Sequence, residues 1–173
     1  MRAIGIITGV LAVLLLAACG QADDRRNPFG VPDVQDPDGQ DAQNLAESVK
    51  LAGDANDPNA EQWARKETRG KKGSLDGEWS NRWNGNDSAW HYGAGPTRIK
   101  EIGDRVYMLV HASNGKYLLD LKRTKNRLVG KYQGIDEVAN DTGPCVLLIV
   151  DDERIDGNWA GLGRWDFRRK LKQ

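Results

Sequence analysis

The chain has few of the residues that cross-link proteins or hold metal ions. Its 173 residues include two cysteines and two histidines. Neither His91 nor His111 has a partner at metal-ligand spacing, so each is interpreted as a loop or strand-surface residue. A disulfide-stapled scaffold also needs more cysteines than these. The sequence therefore predicts neither a metal site nor a disulfide framework.

The chain also has no net charge, since 25 Lys and Arg residues balance 25 Asp and Glu residues. A general nucleic-acid binder needs a basic surplus, so no nucleic-acid partner is expected. The charges are nevertheless unevenly distributed along the chain. Residues 20–62 contain ten acidic and three basic residues, whereas residues 75–173 contain fourteen acidic and sixteen basic residues.

Motifs of the common catalytic sites are missing as well. There is no Gly-x-Ser-x-Gly, no His-Glu-x-x-His, no phosphate-binding loop and no calcium loop. Cys145 lies in the apolar run Cys-Val-Leu-Leu-Ile-Val, which is typical of a small buried side chain rather than of a catalytic thiol. We therefore expect a protein that is not an enzyme and needs no cofactor.

An apolar run opens the chain after the basic residue Arg2. The run from Ala3 to Leu16 has the length of a signal peptide and is short for a membrane span. It ends in Leu16-Ala17-Ala18-Cys19, which resembles the lipobox of bacterial lipoproteins. The resemblance implies a signal peptide over 1–18, cleavage before Cys19, and acylation of the sulfur and amine of Cys19. An ordinary secretory signal and a short membrane helix are the alternatives.

The lipobox resemblance also implies where in the cell the protein is located. Several acyl chains on Cys19 anchor a protein stably in a membrane, where one chain does not. The next residue is Gly20 rather than aspartate, which in lipoproteins of double-membraned bacteria implies the outer membrane, facing the periplasm. Because the lipid occupies Cys19, Cys145 has no partner for an intramolecular disulfide.

Residues 19–73 have the composition of an acidic linker. They are rich in Asp, Asn, Gln, Pro and Gly and cannot bury enough apolar surface to fold alone, so we expect a flexible tether. Short helices are predicted over 41–53, with Asp41 as N-cap, and over 57–70. Trp63 in the second helix is either a docking contact onto the following domain or an anchor for a partner.

Residues 74–173 are predicted to form an all-β domain. Short runs of Val, Ile, Tyr, Trp and Leu alternate there with turn signals, which is typical of a sandwich or barrel. Most joins are short, which favours a small antiparallel up-and-down barrel of about eight short strands. Asn114-Gly115 predicts a type I′ hairpin turn. The predicted strands are 76–83, 97–102, 105–112, 116–122, 126–133, 145–151, 153–159 and 163–169.

One five-residue pattern, apolar-x-Gly-x-aromatic, occurs three times, at 75–79, 128–132 and 155–159. Alternate residues of a strand share a face, so the apolar residue, the glycine and the ring are expected to point inward together. An inward glycine suits a sharp bend, or leaves room for a neighbouring ring. In the last strand, the residues expected inside are Gly163, Trp165 and Phe167, and those expected outside are Arg164, Asp166 and Arg168.

The first of these strands resembles that of the calycin barrels, the group of lipocalins, avidins and certain bacterial protease inhibitors. Gly77-x-Trp79 carries the resemblance, and Asn81 matches an asparagine of avidin-like chains. In lipocalins a basic residue of the last strand lies across the tryptophan ring, which implies Arg164 or Arg168 here. The other biotin-contact positions of avidins have no match, so biotin binding is not implied.

The long loop 84–96 is the main candidate for function. Loops of this length often carry function, and exposed aromatic side chains are enriched at interfaces. The alternative is a flap whose rings complete the core of the barrel. The candidate ligand or partner residues are Trp79, Asn81, Trp83, Trp90, His91 and Tyr92.

Three functions remain open at this point. The leading one is an outer-membrane-anchored binding domain for a small apolar ligand at the barrel mouth or for a periplasmic partner protein. The second is an inhibitor of proteases or lysozymes that acts through residues 63–74 or 84–96, and the third is a structural accessory of envelope assembly. An internal cavity favours the first, an ordered exposed loop on a solid barrel the second, and an apolar outer patch the third.

Overall fold

The computed structural model describes residues 26–48, 67–68 and 70–171. In this part of the chain one helix, α1 (Gln40–Ser48), precedes the strands. The strands are β1 (Glu67–Thr68), β2 (Gly77–Trp83), β3 (His91–Tyr92), β4 (Thr97–Ile102), β5 (Arg105–Ala112), β6 (Gly115–Thr124), β7 (Arg127–Gly134), β8 (Thr142–Asp151), β9 (Arg154–Trp159), β10 (Gly163–Arg168) and β11 (Lys170–Leu171).

Eight of these strands form a closed antiparallel barrel, which confirms the predicted fold. From β4 to β10 each strand pairs with the next along the chain, and β2 pairs with both β4 and β10. The closing contact aligns Trp83 with Trp165 and Ser80 with Arg168. Consecutive strands are neighbours throughout, so the barrel has up-and-down topology and is compatible with a calycin-like barrel.

The largest difference in the strand bounds lies in β8, which starts at Thr142 rather than at the predicted residue 145. Gly143 and Pro144 are turn formers, and their composition alone indicates a loop. In the barrel they pair with Tyr132 and Lys131 of β7. Pairing with an existing strand therefore overrides the local preference of these two residues.

The hairpin between β5 and β6 is confirmed, but its turn lies one residue earlier than predicted. Ala112 pairs with Gly115, so the loop residues are Ser113 and Asn114. Neither has a positive φ, which excludes the type I′ turn. Gly115 instead opens β6 with a φ of 140°, and a Cβ on it would lie 2.5 Å from the Cβ of Ala139. The glycine therefore lets the β7–β8 loop pack closely.

Aromatic and aliphatic side chains fill the barrel, as expected for an eight-stranded barrel whose interior is just wide enough for side chains. The inward positions predicted from the repeated pattern are confirmed. Cys145 belongs to the same core, where burial raises the pKa of its thiol. The inward side chains of β2, β7, β9 and β10 in the core are Trp79, Trp83, Leu128, Tyr132, Ile155, Trp159, Trp165 and Phe167.

The glycines of the repeated pattern leave room for the backbone of the adjacent strand. A Cβ on Gly130 would lie 2.0 Å from the carbonyl oxygen of Asp120, and one on Gly157 would lie 2.8 Å from the carbonyl oxygen of Val146. The sequence predicts that a bend or a neighbouring ring needs this space. At these two positions it is the next strand that approaches, because the strands of a small barrel coil tightly.

Gly130→Ala is expected to lower the free energy of unfolding by about 1–3 kcal/mol, because a backbone carbonyl cannot move aside as a side chain can. Thermal and denaturant unfolding of the full chain, followed by near-ultraviolet circular dichroism, measures the change. Gly85→Ala is the control, since its nearest contact would be 3.6 Å away. If Gly130→Ala is as stable as the control, β6 and β7 can move apart far enough to accommodate the added methyl group.

Arg169 closes the end of the barrel opposite the long loop 84–96. Its guanidinium lies 4.3 Å from the ring centroid of Trp79, which itself donates through Nε1 to the carbonyl of Leu75. Arg164 and Arg168 were the residues implied by the lipocalin resemblance, and for both this expectation is wrong. They lie on the outer face by strand alternation, whereas the irregular backbone after β10 lets Arg169 turn across the base.

Charged side chains form a ladder on the outside of β2, β9 and β10. Arg82 and Asp166 pair at 2.9 Å, and Arg164 approaches Asp166 at 3.0 Å. Asp156, the other carboxylate of the ladder, lies 2.6 Å from Arg168. Arg82 and Asp166 are buried although they point away from the core. The outward charges predicted for the last strand therefore belong to a packed ion-pair network.

Residues 26–48 lie against the outer face of the barrel, which corrects the expectation of a flexible tether for this stretch. Val34 and Ala42 are buried, and α1 packs on β7 and β8. Asp38 forms an ion pair with Arg105 at 2.8 Å. Composition alone predicts that an acidic, polar stretch stays unfolded, but here the barrel supplies both the apolar surface and the basic partners.

Helix α1 begins at Gln40 and not after a cap at Asp41. The carbonyl of Gly39 accepts from the N–H groups of Ala42 and Gln43, so Asp41 lies within the first turn. There its carboxylate lies 3.7 Å from Lys131 Nζ on β7. A negative charge in the first helical turn is favourable, and this one also helps to dock the helix.

Several predictions fall outside the described residues. They are the signal peptide, Cys19, Trp63 and most of the helix predicted over 57–70. Three residues of that predicted helix are described: Glu67 and Thr68 form a strand parallel to β11, and Gly70 forms an isolated bridge with Gly77. No helix within the described residues has the length and hydropathy needed to cross a bilayer.

Candidate functional site

A small cavity opens at the end of the barrel that carries the long loop. We call this end of the barrel the mouth. Its loops are residues 84–96, 113–114, 135–141 and 160–162. The cavity has a volume of about 40 Å³. Its lining consists of five aromatic rings and two polar side chains, namely Trp83, Tyr117, Tyr132, Trp159, Trp165, Asn114 and Asp141.

Neighbouring rings of the mouth meet edge to face, at angles from 68° to 90°. The planes of Tyr117 and Trp165 meet at 90°, those of Tyr132 and Trp159 at 84°, and those of Trp83 and Trp159 at 82°. Such edge-to-face contacts stabilise aromatic clusters by about 0.5–1.5 kcal/mol per pair. The aromatic side chains therefore surround the cavity at steep angles to one another and do not form a stack of parallel rings.

Polar groups gather on one side of the cavity. The amide of Asn114 donates to the hydroxyl of Tyr117 at 3.0 Å. The carboxylate of Asp141 interacts with the hydroxyls of both Tyr117 and Tyr132. Burial, followed by the charge of Asp141, raises the pKa of Tyr117 to about 12 and raises that of Tyr132 as well. Both phenols are therefore neutral at physiological pH.

One indole of the cavity has no hydrogen-bond acceptor among the described residues. Trp159 Nε1 donates to the carbonyl of Asn84 at 2.9 Å, and Trp83 Nε1 donates to the hydroxyl of Ser113 at 3.2 Å. Trp165 Nε1 is buried and donates to no atom of residues 26–48, 67–68 or 70–171. Leaving a buried donor unsatisfied costs about 1–3 kcal/mol. This unsatisfied donor belongs to a ring that lines the cavity.

Of the six candidate residues drawn from the sequence, Trp83 is the one that lines the cavity. Trp79 is buried beneath Arg169 at the opposite end of the barrel. Asn81 donates to the carbonyls of Gly95 and His111, so it joins the end of the long loop to β5. These two residues support the barrel and its loop, which is a different role from the predicted ligand contact.

The other three candidates, Trp90, His91 and Tyr92, lie in loop 84–96 around the outer edge of the mouth, which we call the rim. Trp90 covers the guanidinium of Arg82 on the outer face at 3.9 Å, so its ring does not complete the core. His91 stacks on Trp83 with ring centroids 4.4 Å apart. Tyr92 is 37% exposed. The long loop therefore reinforces one wall of the mouth and leaves the interior to the strands.

The remaining lining residues of the cavity were not among the candidates drawn from the sequence. Tyr132 and Trp159 end two copies of the repeated pattern, in strands that both run toward the mouth. Both residues take the last position of the pattern, and this shared position was the signal in the sequence that could have grouped them. The sequence predicts that Trp165 points inward. It does not indicate how far along the barrel axis the ring lies. The sequence marks Asn114 only as a turn residue, and Asp141 lies in a loop with no distinguishing pattern.

A second cleft of about 290 Å³ lies between residues 33–38 and the barrel. It is more polar, and its central cation, Arg105, is already held by Asp38 at 2.8 Å and by Asp120 at 3.3 Å. These contacts account for the docking of the N-terminal segment. Within residues 26–48, 67–68 and 70–171, no three His, Cys, Asp or Glu side chains are grouped as metal ligands would be.

No known protein family, curated protein or solved structure matches this chain. The case for a function therefore depends on the geometry of the barrel and on the sequence patterns before it. The mouth is where that geometry is most informative, because it combines a cavity, clustered rings and an unsatisfied donor in one place.

Proposed function

We propose that this protein is a lipoprotein of the bacterial outer membrane, facing the periplasm, whose barrel is a non-enzymatic binding module. Lipid on Cys19 holds it at the membrane, and the mouth of the barrel takes a small ligand. The lipobox pattern Leu16-Ala17-Ala18-Cys19 and the following Gly20 support the lipid anchor and the outer-membrane location. The mouth cavity supports the binding role.

The observation that carries this proposal is the cavity of about 40 Å³ lined by five rings at the mouth. Drug-sized ligands occupy pockets of about 300–1,000 Å³, so here only part of a ligand enters. The rest of the ligand lies against the rim. Three of the exposed large hydrophobic side chains of the described residues are found on this rim, and they are Tyr92, Val138 and Leu162.

A second candidate is an inhibitor of a periplasmic protease or lysozyme. The position of the long loop favours it, since Trp90 lies outside the barrel and Tyr92 is exposed beside it. Aromatic side chains on a supported loop are typical anchors of a protein interface. In this case the partner is a protein, and the mouth cavity contributes little.

Native mass spectrometry of the full chain, extracted from the membranes of its own cells in a maltoside detergent, tests the proposal. We expect a bound molecule of a few hundred daltons. We expect Trp159→Leu to lose this molecule and Trp90→Leu to retain it, because the first ring lines the cavity and the second lies outside the barrel.

Other outcomes of this experiment have clear meanings. A bound protein that is lost in Trp90→Leu and kept in Trp159→Leu would favour the inhibitor. A chain that carries neither a small molecule nor a protein would contradict the binding proposal and favour a structural accessory of the envelope.

A further inference from the structure

The shape of the mouth cavity selects the shape of the group that enters it. Flat aromatic groups bind between parallel rings, whereas perpendicular rings surround a compact, rounded group with several π-faces. The angles of 82°, 84° and 90° between neighbouring rings give the second arrangement. The cavity of about 40 Å³ is open at the mouth, so it accepts part of a small molecule and leaves the rest outside.

The aspartate, glutamate, lysine and arginine residues within the four mouth loops are all acidic. The four mouth loops contain Asp87, Asp136, Glu137 and Asp141, and they contain no lysine or arginine. Two of these carboxylates are engaged within the loops themselves, since Asp87 contacts His91 at 3.1 Å and Asp136 accepts from the N–H of Ala139 at 2.8 Å. The loops therefore give the mouth a negative potential that attracts cations and repels anions.

Asp141 brings this negative charge to the cavity itself. It is the charged side chain among the lining residues, and it lies beside the hydroxyls of Tyr117 and Tyr132. Aromatic faces and a carboxylate stabilise the same kind of ligand, because a cation is attracted by the ring quadrupole as well as by the negative charge.

The unsatisfied donor adds a second requirement. Trp165 lines the same cavity, and its Nε1 is buried and finds no acceptor among the described residues. A ligand that carries an oxygen acceptor a few bonds from its cationic group can satisfy this donor while the cation lies among the rings. A simple inorganic cation offers no acceptor and has no preference for aromatic faces over water.

We propose that the mouth binds a methylated ammonium group on a small molecule that also carries an oxygen acceptor, as choline does. This inference rests on the proposed binding function and specifies its ligand class. The rings surround the ammonium group, Asp141 neutralises it, and Trp165 Nε1 donates to the oxygen. The remainder of the ligand extends past the rim formed by Tyr92, Val138 and Leu162.

Isothermal titration of the full chain in maltoside detergent tests the charge requirement with a matched pair of probes. Choline and 3,3-dimethylbutan-1-ol have the same shape, and only choline is charged. We expect choline to bind at least about tenfold more tightly than its neutral counterpart, because the desolvated cation interacts with several rings. Short-chain phosphatidylcholine below its micellar concentration shows whether the group is also accepted on a lipid.

The protein side of the test uses two variants in the same loop. Asp141→Asn is expected to weaken choline binding about tenfold and to leave the affinity for 3,3-dimethylbutan-1-ol unchanged. Glu137→Gln removes an equal charge from an exposed position away from the cavity lining, so choline binding should stay within about twofold of the original.

Two outcomes would overturn the inference. If choline and its neutral counterpart bind equally, the mouth is an apolar site, and the binding function stands without the cation. If neither probe binds, the ligand class is wrong. The native mass of the protein then decides whether the binding function fails too, since a bound small molecule of another class would preserve that function.

Discussion

Asp166→Asn is expected to lower the free energy of unfolding by about 3–5 kcal/mol, because it leaves a buried guanidinium without its carboxylate. Arg82 and Asp166 are 1% and 0% exposed, and their closest atoms are 2.9 Å apart. Arg164 depends on the same carboxylate at 3.0 Å. Asparagine has the same shape as aspartate, so packing is preserved and the loss reports on charge.

Denaturant unfolding of the full chain, followed by near-ultraviolet circular dichroism, measures this change. Asp104→Asn is the matched control, since Asp104 is 65% exposed and lies 3.8 Å from Lys122. Surface pairs of this kind contribute about 0–1 kcal/mol. The double change Arg82→Met with Asp166→Leu is expected to regain much of the lost stability, because apolar side chains often replace a buried pair without cost. If Asp166→Asn behaves like the control, water reaches the pair and it is not buried in solution.

Arg169→Met is expected to lower the free energy of unfolding by about 3–4 kcal/mol, because the guanidinium donates to four backbone carbonyls at the base of the barrel. It donates to the carbonyl of Asp76 at 3.1 Å and to that of Lys71 at 3.3 Å, and it also bonds the carbonyls of Ser74 and Asp152. Methionine can still pack on the ring, so the hydrogen bonds account for most of the loss.

This variant also has a local signature. Arg169 ties residues 71–76 to the base of the barrel, so trypsin is expected to cleave after Lys71 and Lys72 much faster in Arg169→Met than in the parent chain. Lys170→Met removes the adjacent charge, which is 53% exposed, and should change neither stability nor cleavage. Equal cleavage rates in the two variants would show that the segment is held by β1 and β11 and not by Arg169.

Much of the barrel could be predicted because strand formation depends on local patterns. Alternation in Leu128–Tyr132 and Ile155–Trp159 correctly places each side chain inside or outside. The same reasoning fails where pairing overrides composition, as at Gly143 and Pro144 in β8. The lipocalin resemblance fails in another way, since it implies Arg164 or Arg168 where the structure has Arg169, and no pattern in the sequence shows that the chain turns across the base one residue after β10 ends.

The candidate site was harder to predict because its members come from distant strands and loops. Trp83 was selected for its place in a recognisable strand, and the aromatic cluster of loop 84–96 drew attention to rings that lie on the rim. Which inward rings reach the mouth depends on how far each strand is shifted against the next. That shift becomes visible only once β10 pairs with β2 and closes the barrel.

The sequence by itself determined the all-β character of residues 74–173, the inward and outward faces of its strands, and the burial of Cys145. These properties follow from alternation and hydrophobicity, which act over a few residues. Tertiary structure decided the cavity at the mouth, the role of Arg169 and the docking of residues 26–48 on the barrel. Each of these depends on contacts between residues far apart in the chain, and such contacts exist only when the closed sheet brings them together.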